Sequence, residues 1–152
     1  MNYWLMKTEP EVFSIDDLAK ARDKTTCWEG VRNYQARNFM RDEMKLGDQV
    51  LIYHSNTSPP GIAGIARVVK EAYPDHSAFD PSSKYFDVKS KKESATWMMV
   101  DVQFVMKAKK FLSLDELKAN PKVKELLILR KGNRLSITPV EKKHFEIIAK
   151  LL

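Results

Sequence analysis

The densest stretch of chemically capable side chains is Cys27-Trp28-Glu29-Gly30-Val31-Arg32-Asn33-Tyr34-Gln35-Ala36-Arg37-Asn38. It combines an aromatic plate, a flexible glycine, amides and guanidinium groups directly ahead of a segment with helical periodicity. A helix amino end presents free N–H donors and a partial positive charge, which suits a phosphate. Arginines flanking a tryptophan offer phosphate contact and base stacking together, the pairing that nucleic-acid grooves use. The competing reading makes Trp28 core, Asn33 a helix cap, and Arg32 and Arg37 solvated surface. For Asn33 alone the cap is preferred. For the segment as a whole the functional reading is preferred.

A second cluster, Tyr53-His54-Ser55-Asn56, follows an apolar run and precedes Pro59-Pro60-Gly61. Consecutive hydrogen-bonding side chains at a strand end line a polar pocket mouth economically; equally, Ser55 and Asn56 serve a turn beside a satisfied histidine. Trp97 sits opposite the regular apolar stripe of its strand, so it packs on another element or lines a cavity.

Enzyme readings find less support. Cys27 with His54 could form a nucleophile–base pair, and Asp75, Asp80 and Asp87 with Lys89 could hold a nuclease metal, but no local motif backs either. Turn roles explain those aspartates as well. Cys27 is the only cysteine, which excludes an intramolecular disulfide and a zinc site built from several cysteines. His54, His76 and His144 lack metal-ligand spacing, and the glycines form neither a phosphate loop nor a dinucleotide fingerprint. The expectation is a non-enzymatic protein with no metal and no cofactor.

The elements that position these groups follow from periodicity. Tyr3-Trp4-Leu5-Met6-Lys7 reads as a first strand, and Ser14-Ile15-Asp16-Asp17 as a capping box opening a helix to about Arg22. Asn33 to Met44 has helical spacing, with Arg37 and Arg41 on the polar face. Gln49 to His54 and Ile62 to Val69 read as strands, the second following the proline break. Tyr73 to Ala95 is a long excursion rich in polar residues and aromatics. Trp97 to Met106 alternates with period two. Ser113-Leu114-Asp115-Glu116 is another capping box, Asn120-Pro121 a cap with a first-turn proline, Arg134 to Ile137 a short strand, and Thr138-Pro139-Val140-Glu141 the start of a last helix. Strands separated by short helices without regular βαβ alternation predict an α+β fold built on a small mixed barrel.

Composition sets the outer bounds. The chain has 152 residues, 43% hydrophobic and 30% charged, which predicts one globular domain over residues 1–152 rather than a disordered chain. No apolar run approaches the ~20 residues of a membrane helix, and charges arrive too early for a signal peptide, so a soluble cytoplasmic protein (nuclear in a eukaryote) is expected. Lys and Arg number 26 against 20 Asp and Glu, a net charge of +6 that favours a polyanionic partner, with nucleic acid first among them. The lysine runs Lys89 to Lys92 and Lys107 to Lys110 read as solvated faces or as phosphate contacts.

Taken in order, Tyr3-Trp4-Leu5-Met6-Lys7-Thr8-Glu9-Pro10, Trp28-Glu29-Gly30-Val31-Arg32-Asn33, Tyr53-His54-Ser55-Asn56, Pro60-Gly61-Ile62-Ala63-Gly64-Ile65, Tyr73-Pro74-Asp75, Phe79-Asp80-Pro81, Trp97-Met98-Met99-Val100-Asp101-Val102 and Arg134-Leu135-Ser136 resemble the EVE domain family across essentially the whole chain. The resemblance implies a PUA-like mixed β-barrel flanked by short helices, related to YTH and ASCH domains. It implies nucleic-acid binding, with recognition of a modified base held in an aromatic-walled pocket. The implied binding positions are Lys7, Thr8, Trp28, Val31, Arg32, Asn33, Arg37, Tyr53, His54, Ser55, Trp97 and Ser136. Position 8 is Thr where the family often has Ser, and Glu29 stands where Asp is common; both change hydrogen-bond reach and leave the assignment intact. Two other functions fit the same pocket: RNA binding on tRNA or ribosomal RNA, and small-molecule binding or hydrolysis.

Overall fold

The computed structural model describes residues 1–152. Its strands are β1 (Tyr3–Thr8), β2 (Thr25–Cys27), β3 (Gln49–His54), β4 (Gly61–Pro74), β5 (Met98–Ser113) and β6 (Ile137–Val140). Its α-helices are α1 (Ile15–Lys20), α2 (Tyr34–Asn38), α3 (Leu114–Ala119) and α4 (Lys142–Leu151). The strands form one mixed sheet in the order β2-β5-β4-β3-β1-β6. β1 and β3 run parallel, and every other pairing is antiparallel.

The expected barrel is corrected to an open sheet. β2 and β6 each bond on one side only, and with three and four residues neither offers much of a margin for closure. The alternation of side chains along each strand explains how an open sheet is stabilised on both faces. Trp4, Met6, Val50 and Ile52 join one buried cluster with Ile15 and Leu18 of α1 and Ala36 of α2. Leu5, Leu51 and Tyr53, one residue out of phase, join a second with Leu117 of α3 and Phe145 and Ile148 of α4. Asp48, fully buried, pins the β1–β3 pair by accepting from Trp4 Nε1 and from the backbone N–H groups of Asn2 and Lys45.

Several boundaries move. The helix expected from Asn33 to Met44 is a short α-helix followed by a π turn over Phe39–Glu43. β4 extends well past Val69, and the expected strand at Arg134 to Ile137 begins three residues later, at Ile137–Val140. Thr138 and Pro139 are therefore strand residues rather than a helix start; Pro139 pairs with Trp4 on an edge strand, where a missing N–H is tolerated. Both capping boxes form, on Ser14 with Asp17 and on Ser113 with Glu116. No helix is long and apolar enough to cross a membrane.

Candidate functional site

A cavity of about 600 Å³ opens beside the two margins of the sheet. The β1 end supplies Lys7 and Thr8, β2 supplies Thr26 and Cys27, and the approach to β6 supplies Arg134 and Ser136. Residues from opposite ends of the strand order thus reach one hollow, which the failure of the sheet to close leaves available. Trp28, Val31, Arg32 and Ser55 complete the set of expected residues on its wall, alongside Phe13, Glu29, Gly30, Lys84 and Tyr85.

The segment after β2 is held by one buried carboxylate. Asp75, with no side-chain exposure, accepts from Gly30 N–H at 2.8 Å, from Arg32 Nη1 at 3.0 Å and from Ser77 N–H at 2.9 Å. Burial alone would raise its pKa, but the hydrogen bonds from Ser77, Gly30 and Arg32 outweigh burial and hold the carboxyl below its ordinary value. Arg32 spends its remaining donors on the Tyr85 carbonyl, at 3.2 Å from Nε and 2.7 Å from Nη2, and on Ser77 Oγ. Its guanidinium also lies over the Tyr85 and Trp97 rings, 5.6 and 5.4 Å from their centroids. Arg32 is therefore a tie between two segments as well as a wall residue, and Tyr85 is the wall it positions.

Gly30 makes the Tyr85 position possible. Its φ of +84° is one that side-chain-bearing residues rarely adopt, and a Cβ there would meet the Tyr85 ring carbons at 2.5 to 2.7 Å. Tyr85 lies far along the excursion, so the local pattern around Trp28 gave no sign of it; the aromatics running through that excursion were the available signal.

On the strand-end side, Thr8 Oγ1 donates to the Phe13 carbonyl at 2.7 Å, Lys7 N–H donates to the Ser136 carbonyl at 2.8 Å, and Ser55 N–H to the Thr8 carbonyl at 3.0 Å. The Lys7 ammonium forms no ion pair, and burial pulls its pKa down from the ordinary lysine value. A half-buried, unpartnered donor beside aromatic walls is poised for an acceptor on a ligand.

Five of the expected residues do not line the cavity. Tyr53 is buried in the second core cluster, because its place in β3 points it to the α3–α4 face. His54 accepts at Nε2 from the Ile15 N–H at 3.1 Å, and burial lowers its pKa, so it serves α1 as a neutral acceptor. Asn33 caps α2, accepting from Ala36 N–H at 2.9 Å. Arg37 donates to the Thr96 carbonyl at 2.9 Å. Trp97 is buried, donates to Asp87 at 2.8 Å and packs 5.0 Å from the Tyr34 ring.

The enzyme constellations take other forms. His54 is committed to α1, and the histidine that does approach Cys27 is His76: Cys27, Glu29 and His76 bring their ligand atoms within 4.8 Å of one another. His76 already faces Glu29 at 3.4 Å, and burial together with the Glu29 carboxylate pushes the Cys27 thiol pKa up, away from a reactive thiolate. Asp80 and Asp87 each accept from backbone N–H groups two residues on, as turn formers do, while Asp75 serves the Arg32 tie.

Comparison with known proteins agrees with this architecture. The EVE domain family profile matches residues 2–151. Thymocyte nuclear protein 1 of Rattus norvegicus is 46% identical over 166 aligned positions, which cover 99% of this chain and 73% of that protein. A crystal structure from Pseudomonas putida superposes with a TM-score of 0.93 at 46% identity, covering 98% of each chain. Human thymocyte nuclear protein 1, solved in complex with DNA containing 5-methylcytosine, superposes with a TM-score of 0.92 at 45% identity, covering 99% of this chain and 97% of its own. In sequence and in fold alike, the chain belongs to the EVE domain family.

Proposed function

We propose that this domain binds nucleic acid without turnover and holds a modified base, drawn out of its stack, in the cavity beside Trp28. The observation that carries the reading is the cavity itself: about 600 Å³ in which the Trp28 and Tyr85 rings meet the unpartnered Lys7 ammonium and the Ser55 and Ser136 hydroxyls. That volume falls in the usual range for small-ligand pockets. The human relative's complex with 5-methylcytosine DNA supports a methylated cytosine as the first base to try. Opening a stack costs a few kcal/mol, least in a single strand, and stacking on an aromatic plate returns ~1–3 kcal/mol. The raised Cys27 thiol gives no activated nucleophile, which supports binding over hydrolysis.

The test is a fluorescence anisotropy titration of labelled single strands carrying cytosine or 5-methylcytosine, in DNA and in RNA backbones. A methyl group filling a small apolar space is worth about 0.8 kcal/mol, so a preference of about fourfold for the methylated strand is expected. Equal affinity for both bases would remove base recognition, and tighter binding of the RNA strands would move the function to RNA. Strands should be recovered uncut after incubation with Mg²⁺. Trp28→Phe, which keeps an aromatic plate, should retain more of the binding than Trp28→Ala. Melting must be followed on both, since Trp28 is only 8% exposed and belongs to the inner cluster.

A further inference from the structure

The arginines of the Trp28 segment and of the helix after it are spoken for: Arg32 by Asp75 and Tyr85, Arg37 by Thr96, and Arg41 by Asp42 at 2.8 Å. The loop that leads into β6 is different. Between Glu125 and Glu141 the chain has no acidic residue, yet it carries Arg130, Lys131 and Arg134. All three are exposed, and none forms an ion pair or a side-chain hydrogen bond. The loop is nevertheless shaped by its own bonds. Asn133 N–H bonds to the Arg130 carbonyl at 3.1 Å, Asn133 Nδ2 to the Leu127 carbonyl at 2.5 Å, and Leu135 N–H to Asn133 Oδ1 at 2.9 Å, while Gly132 takes the φ of +81° at the bend. Arg134 and Ser136 stand on the cavity wall.

We propose that residues 130–134 are the phosphate clamp of this domain: Arg134 engages the phosphodiester next to the base held in the cavity, and Arg130 and Lys131 engage the neighbouring backbone of the same strand. This rests on the function proposed above. A bent loop that holds itself in shape keeps its cations out of contact with protein carboxylates, so the charges meet a polyanion without first breaking an ion pair. A strand neutralised by such cations releases counterions, and the loss of each contact flattens the salt dependence of binding.

The experiment compares the whole domain with Arg130→Gln, Lys131→Gln and Arg134→Gln combined, titrating a labelled single-stranded DNA containing one 5-methylcytosine over a series of NaCl concentrations. With three contacts at about 0.7 each for a single strand, the slope of log affinity against log salt should fall by about 2, with the melting temperature unchanged. The control neutralises Lys142 and Lys143, which sit by Glu146 and Glu141, and should leave the slope alone. A triple variant with the parental slope, or a control that lowers it equally, overturns the clamp. The base reading fails on a separate readout, the ratio of methylated to unmethylated affinity, which the clamp variant should preserve.

Discussion

The wall formed by residues 27–32 with Lys84 and Tyr85, and the loop 130–134 through Arg134, reach the same cavity, and each carries arginine. On the first, Arg32 is three-quarters covered, its side chain 24% exposed, and its donors are consumed by Asp75, Tyr85 and Ser77. On the second, Arg130 and Arg134 are exposed and unpaired. The difference teaches that nearness to a site does not make a cation a ligand contact. A guanidinium taken from water must find partners within the protein, so it becomes architecture; one left in solvent on a self-bonded loop stays available.

The strongest attempt to break that comparison is Arg32→Ala. If Arg32 is architecture, its loss leaves Asp75 buried with an uncompensated charge, and calorimetry should show a loss of about 3 kcal/mol with a matching fall in melting temperature. The same substitution should also change the acid sensitivity of the fold, which in the parent has a defined sense. The folded Asp75 carboxyl lies below its unfolded value of about 3.9, so its contribution is present above that pH and disappears as pH falls through the lowered folded value. Removing Arg32 should shrink that low-pH loss. A variant as stable as the parent would return Arg32 to the surface and to ligand binding.

Gly30→Ala sharpens the same point on the Tyr85 wall. The positive φ and the close approach to the Tyr85 ring together should cost about 2 kcal/mol. Because Tyr85 must shift, base selectivity should fall while the salt slope, set by the loop, holds. A parallel loss of salt dependence would show that the two walls act as one.

The smallest effect concerns His54, which lies off the cavity. Its folded pKa is depressed and its unfolded value is about 6.5, so its stabilising bond to Ile15 is fully present above that pH and declines as pH falls and the unfolded chain takes up the proton. His54→Gln, whose amide oxygen can accept from Ile15, should flatten the change in melting temperature between pH 7 and pH 5 and leave oligonucleotide affinity unaltered. An affinity loss at constant stability would bring His54 back to the site.

What was legible in sequence is what neighbours along the chain decide. Strand-forming residues gave β1, an apolar run gave β3, and period-two alternation gave the first half of β5. The hydroxyl-to-carboxyl spacing gave both capping boxes, and each of these signals depends on residues a few positions apart. Trp28, Val31 and Arg32, which the family resemblance implied as binding positions, line the cavity. The tertiary structure alone decided whether the sheet closed, which depends on two short margins far apart in sequence. It also decided which cluster Tyr53 would join, since a single residue of phase moves a strand side chain from one face to the other. Above all it decided which cations are free. That depends on whether a carboxylate folds back within reach, as Asp75 does for Arg32 across 43 residues and none does for Arg134, and charge pairing at such separations leaves no trace in the local pattern.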